Sequence, residues 1–434
     1  MIWSKYNYLY NSTKYGLFVY NSRTNSFVKI NEELFNICKE IENDISKIDK
    51  LENKVLNEFK ELKILTSEFD ENNYFTQSKY LKRRQSFTTD VLGLVIAPTY
   101  SCNFACPYCY ETDLPNIHMS AKVEDGIIEF IKSFEKAKSI TLSWHGGEPL
   151  LRFNNIKSLL EKFKKENINL SNHYLVTNGF LLDKDKIMFF KEHNLKSAQI
   201  TIDGLEEKHN KSRIHKSGIP TFNKILKNID ILTEEYPECL ANIRVNIHQD
   251  NKEDYHVLHK ELNDRWKGKN INIYYAYVND HTNFQEACLE NKNKLKFMVD
   301  LYKKHGFKNL QFYPKHKIGG CTADYNNSFV IGPLGELYKC WVDLGRKEKE
   351  IGSVFSNKLN LQLISEYVTG TDKFNDEKCK KCFLFPVCDG GCNLYRLDYK
   401  MYKKEYNVCP IEPDDIDILL EMFYEQKIKD LIKS

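Results

Sequence analysis

The chain has 434 residues, with 63 Lys and Arg against 60 Asp and Glu for a net charge of +3. Charges so nearly balanced give no footprint for a nucleic-acid polyanion, and 41% hydrophobic residues supply core for about two to four domains. No apolar run approaches the roughly 20 residues that cross a bilayer, and no basic-then-apolar signal opens the chain, so a cytoplasmic protein with reduced thiols is expected.

Residues 1–85 read as a separate module. Tyr6 to Tyr10, Gly16 to Tyr20 and Ser26 to Ile30 alternate apolar and polar residues around Asn- and Ser-rich turns, the pattern of a small antiparallel meander. Helical patterns follow at Glu32 to Glu42 and Lys50 to Leu62, and strands followed by helices in this order suit a winged-helix α+β module. Cys38 falls on the apolar stripe Leu34, Ile37, Cys38, Ile41 and reads as packing. The segment is not strongly basic and offers no stacking array, which argues against a DNA role. The polar stretch Thr66 to Asp90, with Lys82, Arg83 and Arg84, reads as a linker carrying solvated charges.

From 86 to 305 apolar strands near 91–98, 139–145, 173–178, 197–203, 241–248 and 271–278 alternate with helical patterns. That is the signature of a parallel α/β barrel, and six such units are fewer than the eight of a closed one. An open, partial (β/α)6 barrel is the expected fold. Just after the first strand stands Cys102-x3-Cys106-x2-Cys109, and Pro107 inside it argues against a helix with three packed cysteines. Three thiolates on a four-iron cubane leave one iron open to a ligand. Farther along, Gly146-Gly147-Glu148-Pro149 follows a strand, with glycines that let a ligand approach the backbone and a carboxylate beside them. Thr201, Asp203 and Arg213 sit at or just past the end of a later strand, where parallel sheets place their ligand contacts. Cys239 and Cys288 stand alone and read as packing. A helix near Leu289 to His305 leads out of the barrel.

Residues 306–412 hold Cys321, Cys340, Cys379, Cys382, Cys388, Cys392 and Cys409. Taken alone, Cys379-x2-Cys382 with Cys388 and Cys392 would also suit a zinc ribbon, and a zinc-binding structural protein is the alternative outside enzymes. Disulfides are disfavoured by the expected reducing compartment. Residues 413–434 read as an amphipathic helix, Asp414 to Ile432, packed on the core.

The loop Cys102-x3-Cys106-x2-Cys109, with Tyr108 before its last cysteine, resembles the signature of the radical S-adenosylmethionine (SAM) superfamily. The resemblance implies that Cys102, Cys106 and Cys109 hold a [4Fe-4S] cluster whose open iron is chelated by SAM. It also implies that one electron from the cluster releases a 5'-deoxyadenosyl radical. It further implies SAM contacts from Tyr108, Gly146, Gly147, Glu148, Pro149, Thr201, Asp203 and Arg213, with the glycine segment receiving the amino group and Arg213 offering a planar charged fork.

The spacing Cys321-x13-Gly335-x4-Cys340, Cys379-x2-Cys382-x5-Cys388-x3-Cys392 and Cys409 resembles the seven-cysteine SPASM domain of peptide maturases and anaerobic sulfatase-maturating enzymes. By that resemblance one auxiliary cluster takes Cys321, Cys340 and Cys392, and another takes Cys379, Cys382, Cys388 and Cys409, making three [4Fe-4S] clusters with the SAM-binding one. Some relatives carry an eighth cysteine shortly before the first; the stretch Pro314 to Gly320 has none. The first auxiliary cluster would then offer an open iron to a substrate thiolate, or be completed by His316, Cys288, a carboxylate or water. Trp341 follows Cys340 where the sulfatase-maturating subgroup leads one to expect an acidic residue.

The resemblance thus implies a radical SAM oxidoreductase that installs an oxidative cross-link, thioether favoured, in a ribosomally made precursor peptide. Residues 1–85 would recognise the leader sequence by adding its strand to a sheet edge. A flavodoxin or ferredoxin-type donor would supply electrons, and neither nucleic acid nor membrane would take part. The enzyme alternative is a sulfatase-maturating or small-molecule dehydrogenase of the SPASM type.

Overall fold

The computed structural model of the chain describes all residues except 113, 279–287, 309, 311–319, 357, 405–406, 410–414 and 434. His316, one of the possible cluster ligands, lies outside them. Packing divides the chain into two units. Met1–Phe87, Asn309–Asn326 and Ser365–Ser434 form one; Thr88–Lys308 and Asn327–Ile364 form the other.

The first unit opens with β1 (Ile2–Trp3), then β2 (Asn7–Ser12), β3 (Gly16–Asn21) and β4 (Ser26–Ile30), the last three forming an antiparallel sheet in that order. Helices α1 (Glu32–Asn43) and α2 (Asn53–Glu61) follow, and β5 (Leu65–Thr66) returns to pair with β1. Period-two alternation gives β3 two buried faces. Val19 points into one cluster with Phe35, Cys38 and Ile41 of α1 and Phe59 of α2. Phe18 and Tyr20 point into another with Tyr10, Leu384, Val387, Ile416 and Leu420. Cys38 is a core residue here, as its stripe implied.

The stretch expected to be a linker is a helix instead. Residues Glu68–Ser86 form α3, capped by Ser67, whose side chain accepts the Asp70 amide, with acids in the first turn and Arg83 and Arg84 in the last. Its buried positions are Glu71 and Ser86, so no apolar stripe marks it in the sequence. Glu71 accepts hydrogen bonds from Ser4 Oγ at 2.7 Å and from the Lys5 amide at 3.0 Å. Nor are Lys82 and Arg83 solvated, because they pair with Asp324 at 3.0 Å and Asp372 at 2.6 Å.

The second unit is an α/β sheet. In chain order it runs β6 (Val91–Ile96), α4 (Ala121–Lys132), β7 (Ser139–Trp144), α5 (Phe153–Lys165), β8 (Leu170–Thr177), α6 (Lys184–Glu192) and β9 (Ser197–Thr201). It continues through α7 (Glu206–Ser212), α8 (Phe222–Glu235), β10 (Leu240–Ile247), α9 (Tyr255–Arg265), β11 (Ile271–Tyr277) and α10 (Asn291–Lys303). The six strands are parallel, in the order β11-β10-β9-β8-β7-β6. Residues Asn327–Ile364, grouped in the sequence with the cysteine-rich segment, extend this sheet. β12 (Ser328–Ile331) pairs parallel to β6, and β13 (Glu336–Tyr338) and β14 (Gly352–Ser353) add antiparallel edges. Strands of two to four residues leave too little periodicity to be read. Gly93 explains the close approach of β12, since a Cβ there would lie 2.3 Å from Ser328 Oγ.

On β8, His173 is 1% exposed and accepts the indole N–H of Trp144 from β7. Burial pushes its pKa from 6.5 down to about 4. Between those values only the unfolded chain takes the proton. This contribution is therefore full above pH 6.5 and is lost as pH falls toward 4, by up to about 3 kcal/mol. Melting of the cluster-free protein is expected to drop between pH 6.5 and 4.5, and His173→Gln should flatten that slope. Identical pH slopes for the two proteins would contradict this account.

The chain then passes through α11 (Leu361–Ser365) and returns to the first unit, with α12 (Glu377–Lys381), α13 (Asn393–Tyr402) and α14 (Ile416–Lys433). α14 packs Ile416 and Leu420 on Tyr10 and Phe18. Among the described residues no helix is long and apolar enough to cross a membrane.

Candidate active site

The carboxyl ends of all six parallel strands open into one cavity of about 520 Å³. The loop after β6 lines it with Cys102, Cys106, Cys109, Tyr108, Tyr110 and Glu111. Isolated bridges hold this loop, Thr99 to His118 and Phe104 to His215. The Ala105 amide donates to Ile214 O at 2.8 Å and the Lys216 amide to Asn103 O at 2.9 Å. The loop is not helical, as Pro107 implied. Cys102 Sγ accepts the Phe104 amide at 3.3 Å. Burial pushes the Cys102 and Cys109 thiols up to about 12 and raises Cys106 as well. A thiol of this kind gives up its proton on binding a metal.

At the end of β7, Gly146 and Gly147 line the same cavity. A Cβ on Gly146 would lie 2.5 Å from Thr99 O, and its φ is +109°. Glu148 and Pro149 do not line the cavity. Glu148 is fully buried, accepting Thr177 Oγ1 at 2.7 Å and the amides of Asn178 at 2.8 Å and Leu150 at 3.0 Å. Its carboxylate therefore fixes the end of β8, while Pro149 opens the short turn that follows. Thr201 and Arg213 line the cavity and Asp203 lies behind it. Asp203 accepts the Tyr108 hydroxyl and the Asn246 amide, and Arg213 Nη1 donates to Tyr108 Oη at 3.3 Å.

The structure adds residues that the sequence reading did not place in this site. Asn178, Gln199, Arg244 and Asn246 complete the polar rim, and Tyr277, Val278, Trp341 and Val342 give an apolar wall. The Tyr110 hydroxyl lies 2.8 Å from His145 Nε2, Glu111 Oε1 lies 3.5 Å from the same nitrogen, and the Trp341 ring covers His145 at 4.6 Å. Burial raises Glu111 to about 8 and lowers His145 to about 4, with Arg244 adding to the latter. Position was the available signal, since Glu111 stands two residues past Cys109 and His145 directly precedes Gly146.

None of the thirteen cysteines is in a disulfide. Cys239 is buried at the foot of β10, and Cys288 is half-buried. In the first unit, Cys379 lies in α12, Cys382 ends it, Cys388 follows and Cys392 caps α13. Burial raises Cys379, Cys382 and Cys388; negative charge at Cys409 adds to this for Cys379 and Cys382, and Cys379 and Cys388 are close enough to affect each other. These are the four thiols that the resemblance groups together. Cys321 is raised by burial and, among smaller causes, by Cys392. Cys340 follows β13 in the second unit. Among the described residues no three Cys, His, Asp or Glu side chains converge as the ligands of a single metal ion do.

A model of the radical SAM superfamily matches residues 96–262. The serine-type anaerobic sulfatase-maturating enzyme of Bacteroides thetaiotaomicron is 30% identical over 342 residues, covering 68% of this chain and 81% of its own. The cysteine-type enzyme of Clostridium novyi is 27% identical over 348 residues, covering 69% and 87%. Among solved structures, Streptococcus suis SuiB bound to S-adenosylmethionine is similar with a TM-score of 0.55 at 17% identity, over 95% of this chain and 100% of SuiB. SuiB bound to its precursor peptide SuiA gives 0.53 at 16%, over 94% and 100%.

Proposed function

This chain belongs to the radical SAM superfamily of oxidoreductases, and from that premise we propose that it matures a ribosomally made precursor peptide by oxidative cross-linking, with a thioether as the favoured product. The observation that carries this reading is coverage. The solved structure of anSMEcpe with bound AdoMet is similar over 79% of the chain with a TM-score of 0.59, whereas SuiB is similar over 95% of it with a TM-score of 0.55. In the β2-β3-β4 sheet the β4 edge has no further strand beside it among the described residues. Residues 1–85 are read as the leader-recognition module, with the leader strand docking at that edge. Residues 86–305 are read as the partial barrel, 306–412 as the SPASM domain with two auxiliary clusters, and 413–434 as a closing helix.

The cavity suits the cofactors the family implies. Three thiols open into it beside a glycine cradle, and Arg213 Nε, Asn103 Nδ2 and His145 Nδ1 are buried without hydrogen-bond partners. Such groups cost stability unless a ligand satisfies them. When bound there, a [4Fe-4S] cluster and SAM supply a 5'-deoxyadenosyl radical that takes a hydrogen atom from the substrate. Cys102, Cys106 and Cys109 would hold the iron. Gly146 and Gly147 let SAM approach the backbone, and Arg213, steadied through Tyr108 by Asp203, offers its charge and its unpartnered N–H. Glu148 acts indirectly by fixing Thr177 and Asn178. Trp341, Val342, Tyr277 and Val278 exclude water, and Glu111, His145 and Tyr110 meet the polar part of the peptide.

A second reading, maturation of a sulfatase, is favoured by the 30% identity to the Bacteroides enzyme. Anaerobic co-expression with a candidate precursor peptide separates the two. Loss of two hydrogen atoms from the peptide, with its cysteine blocked to alkylation, supports thioether formation. An unaltered precursor alongside conversion of a sulfatase-derived peptide would install the second reading instead. Dependence of turnover on reduced flavodoxin or ferredoxin would identify the electron donor.

A further inference from the structure

The thiols assigned to an auxiliary cluster do not have equivalent surroundings. Arg396, on the first turns of α13, turns its guanidinium onto Cys379: Nη2 donates to Sγ at 3.2 Å and to Gly390 O at 2.8 Å. Nε donates to the same carbonyl at 3.0 Å, and Nη1 is held by the Asp376 carboxylate. The side chain is 11% exposed, so this fork is largely shielded from solvent. Asp376 in turn accepts the amides of Lys378 at 2.8 Å and Cys379 at 3.1 Å, capping the short helix that carries the cysteine. One carboxylate thus fixes both the thiol and the cation that contacts it.

Gly390 links this group to a second thiol. Its amide donates to Cys388 Sγ at 3.3 Å while its carbonyl receives Arg396, a double role taken with φ at +92°. The other buried cation nearby, Lys373, donates to the main-chain carbonyls of Phe385 at 2.7 Å and Cys388 at 2.6 Å. In these contacts Lys373 organises main chain, whereas Arg396 touches sulfur.

We propose that Arg396 sets the reduction potential of the cluster held by Cys379, Cys382, Cys388 and Cys409, raising it above that of the same cluster without this contact. The proposal rests on the reading of these cysteines as cluster ligands. One electron entering the cluster adds one negative charge shared with its thiolates; no bond forms and no proton moves. A permanently charged N–H donor on a ligand sulfur stabilises that more negative state, because hydrogen bonds to sulfur and local charge are the main protein levers on such potentials. Low exposure keeps water from screening the effect. Asp376 is a positioning residue that tempers it, since its carboxylate partly neutralises the guanidinium.

The test uses the full chain with Cys102, Cys106 and Cys109 replaced by alanine, reconstituted anaerobically so that only auxiliary clusters remain, and titrated with reductant under EPR. Arg396→Met should make one of the two cluster signals harder to reduce by about tenfold in the reduction equilibrium, about 59 mV for one electron. The other signal should stay in place. Arg396→Lys, which keeps charge without the planar fork, should fall between. Asp376→Asn should move the same signal the opposite way, which keeps the test open if Arg396→Met loses its iron. A parent protein that binds no iron would refute the auxiliary-cluster reading itself. Iron retained with neither signal moved, or both moved equally, would refute the role of Arg396.

Discussion

Cys102→Ala is expected to reduce 5'-deoxyadenosine formation by the anaerobically reconstituted enzyme to background and, on the proposal of three clusters, to lower bound iron from about twelve to about eight atoms per chain. The size of the effect follows from the site. Two thiolates remain, and among the described residues that line the cavity there is no fourth cysteine to take the place of the one removed. Cys102 also sits at the junction of the loop and the β8 rim, with Asn178 Nδ2 3.9 Å from its sulfur. The iron count and the product assay fail separately: retained product at undiminished iron would withdraw Cys102 from the SAM-binding cluster, while retained product at eight irons would place the chemistry elsewhere in the chain. The fold should survive, because no secondary-structure element contains this loop.

Gly147→Ala is expected to slow 5'-deoxyadenosine formation at least about a hundredfold, although it changes no ligand. A Cβ at this position would lie 2.3 Å from Ser101 O and 2.6 Å from Tyr100 O, both main-chain atoms. Main chain cannot rotate away as a flexible side chain does, so either the glycine turn or the segment leading into Cys102 must shift. That segment is tied down by Glu148 N to Ser101 O at 2.9 Å and Gly147 N to Thr99 O at 3.3 Å. A displacement near 1 Å in a positioning element costs about two orders of magnitude in rate. Overpacking of this kind costs about 1–3 kcal/mol in stability. Calorimetry should therefore show a modest loss beside a large loss of SAM affinity by equilibrium dialysis. Wild-type affinity in this variant would show that the turn does not receive SAM.

The parallel strands could be read from the sequence because each is an apolar run in a regular alternation with helices, and the structure has strands at all six places. The front loop was legible because clustered thiols interrupted by a proline fit few other roles. Helix α3 was not legible: its fully buried positions are Glu71 and Ser86, and its cap, its ion pairs to Asp324 and Asp372 and the packing of Tyr74 and Phe75 on Tyr6, Phe374 and Phe385 join it to residues distant in the sequence. Motifs also gave no direction to individual atoms. Glu148 and Asp203 belong to recognisable segments, yet neither lines the cavity and both hold residues that do. Glu111, Arg244 and Trp341 come from three segments and become neighbours of one cavity only through the topology. Arg396 escaped notice for the same reason, since its distance from Cys379 in sequence says nothing of a contact between them.

The return of the chain to its first unit has a consequence for the order of synthesis. Met1–Phe87 are made before the other segments of their unit, yet Phe18 and Tyr20 wait for Leu384, Val387, Ile416 and Leu420 to cover them. The six parallel strands, Val91 to Tyr277, all lie between these two segments, so their sheet can form before the second of them is made. The aromatic face of β3 stays open until the segment from Leu384 to Leu420 is made and seals it. A nascent chain arrested before residue 416 should therefore present that face to chaperones, and a C-terminal truncation should cause aggregation through residues at the opposite end of the sequence.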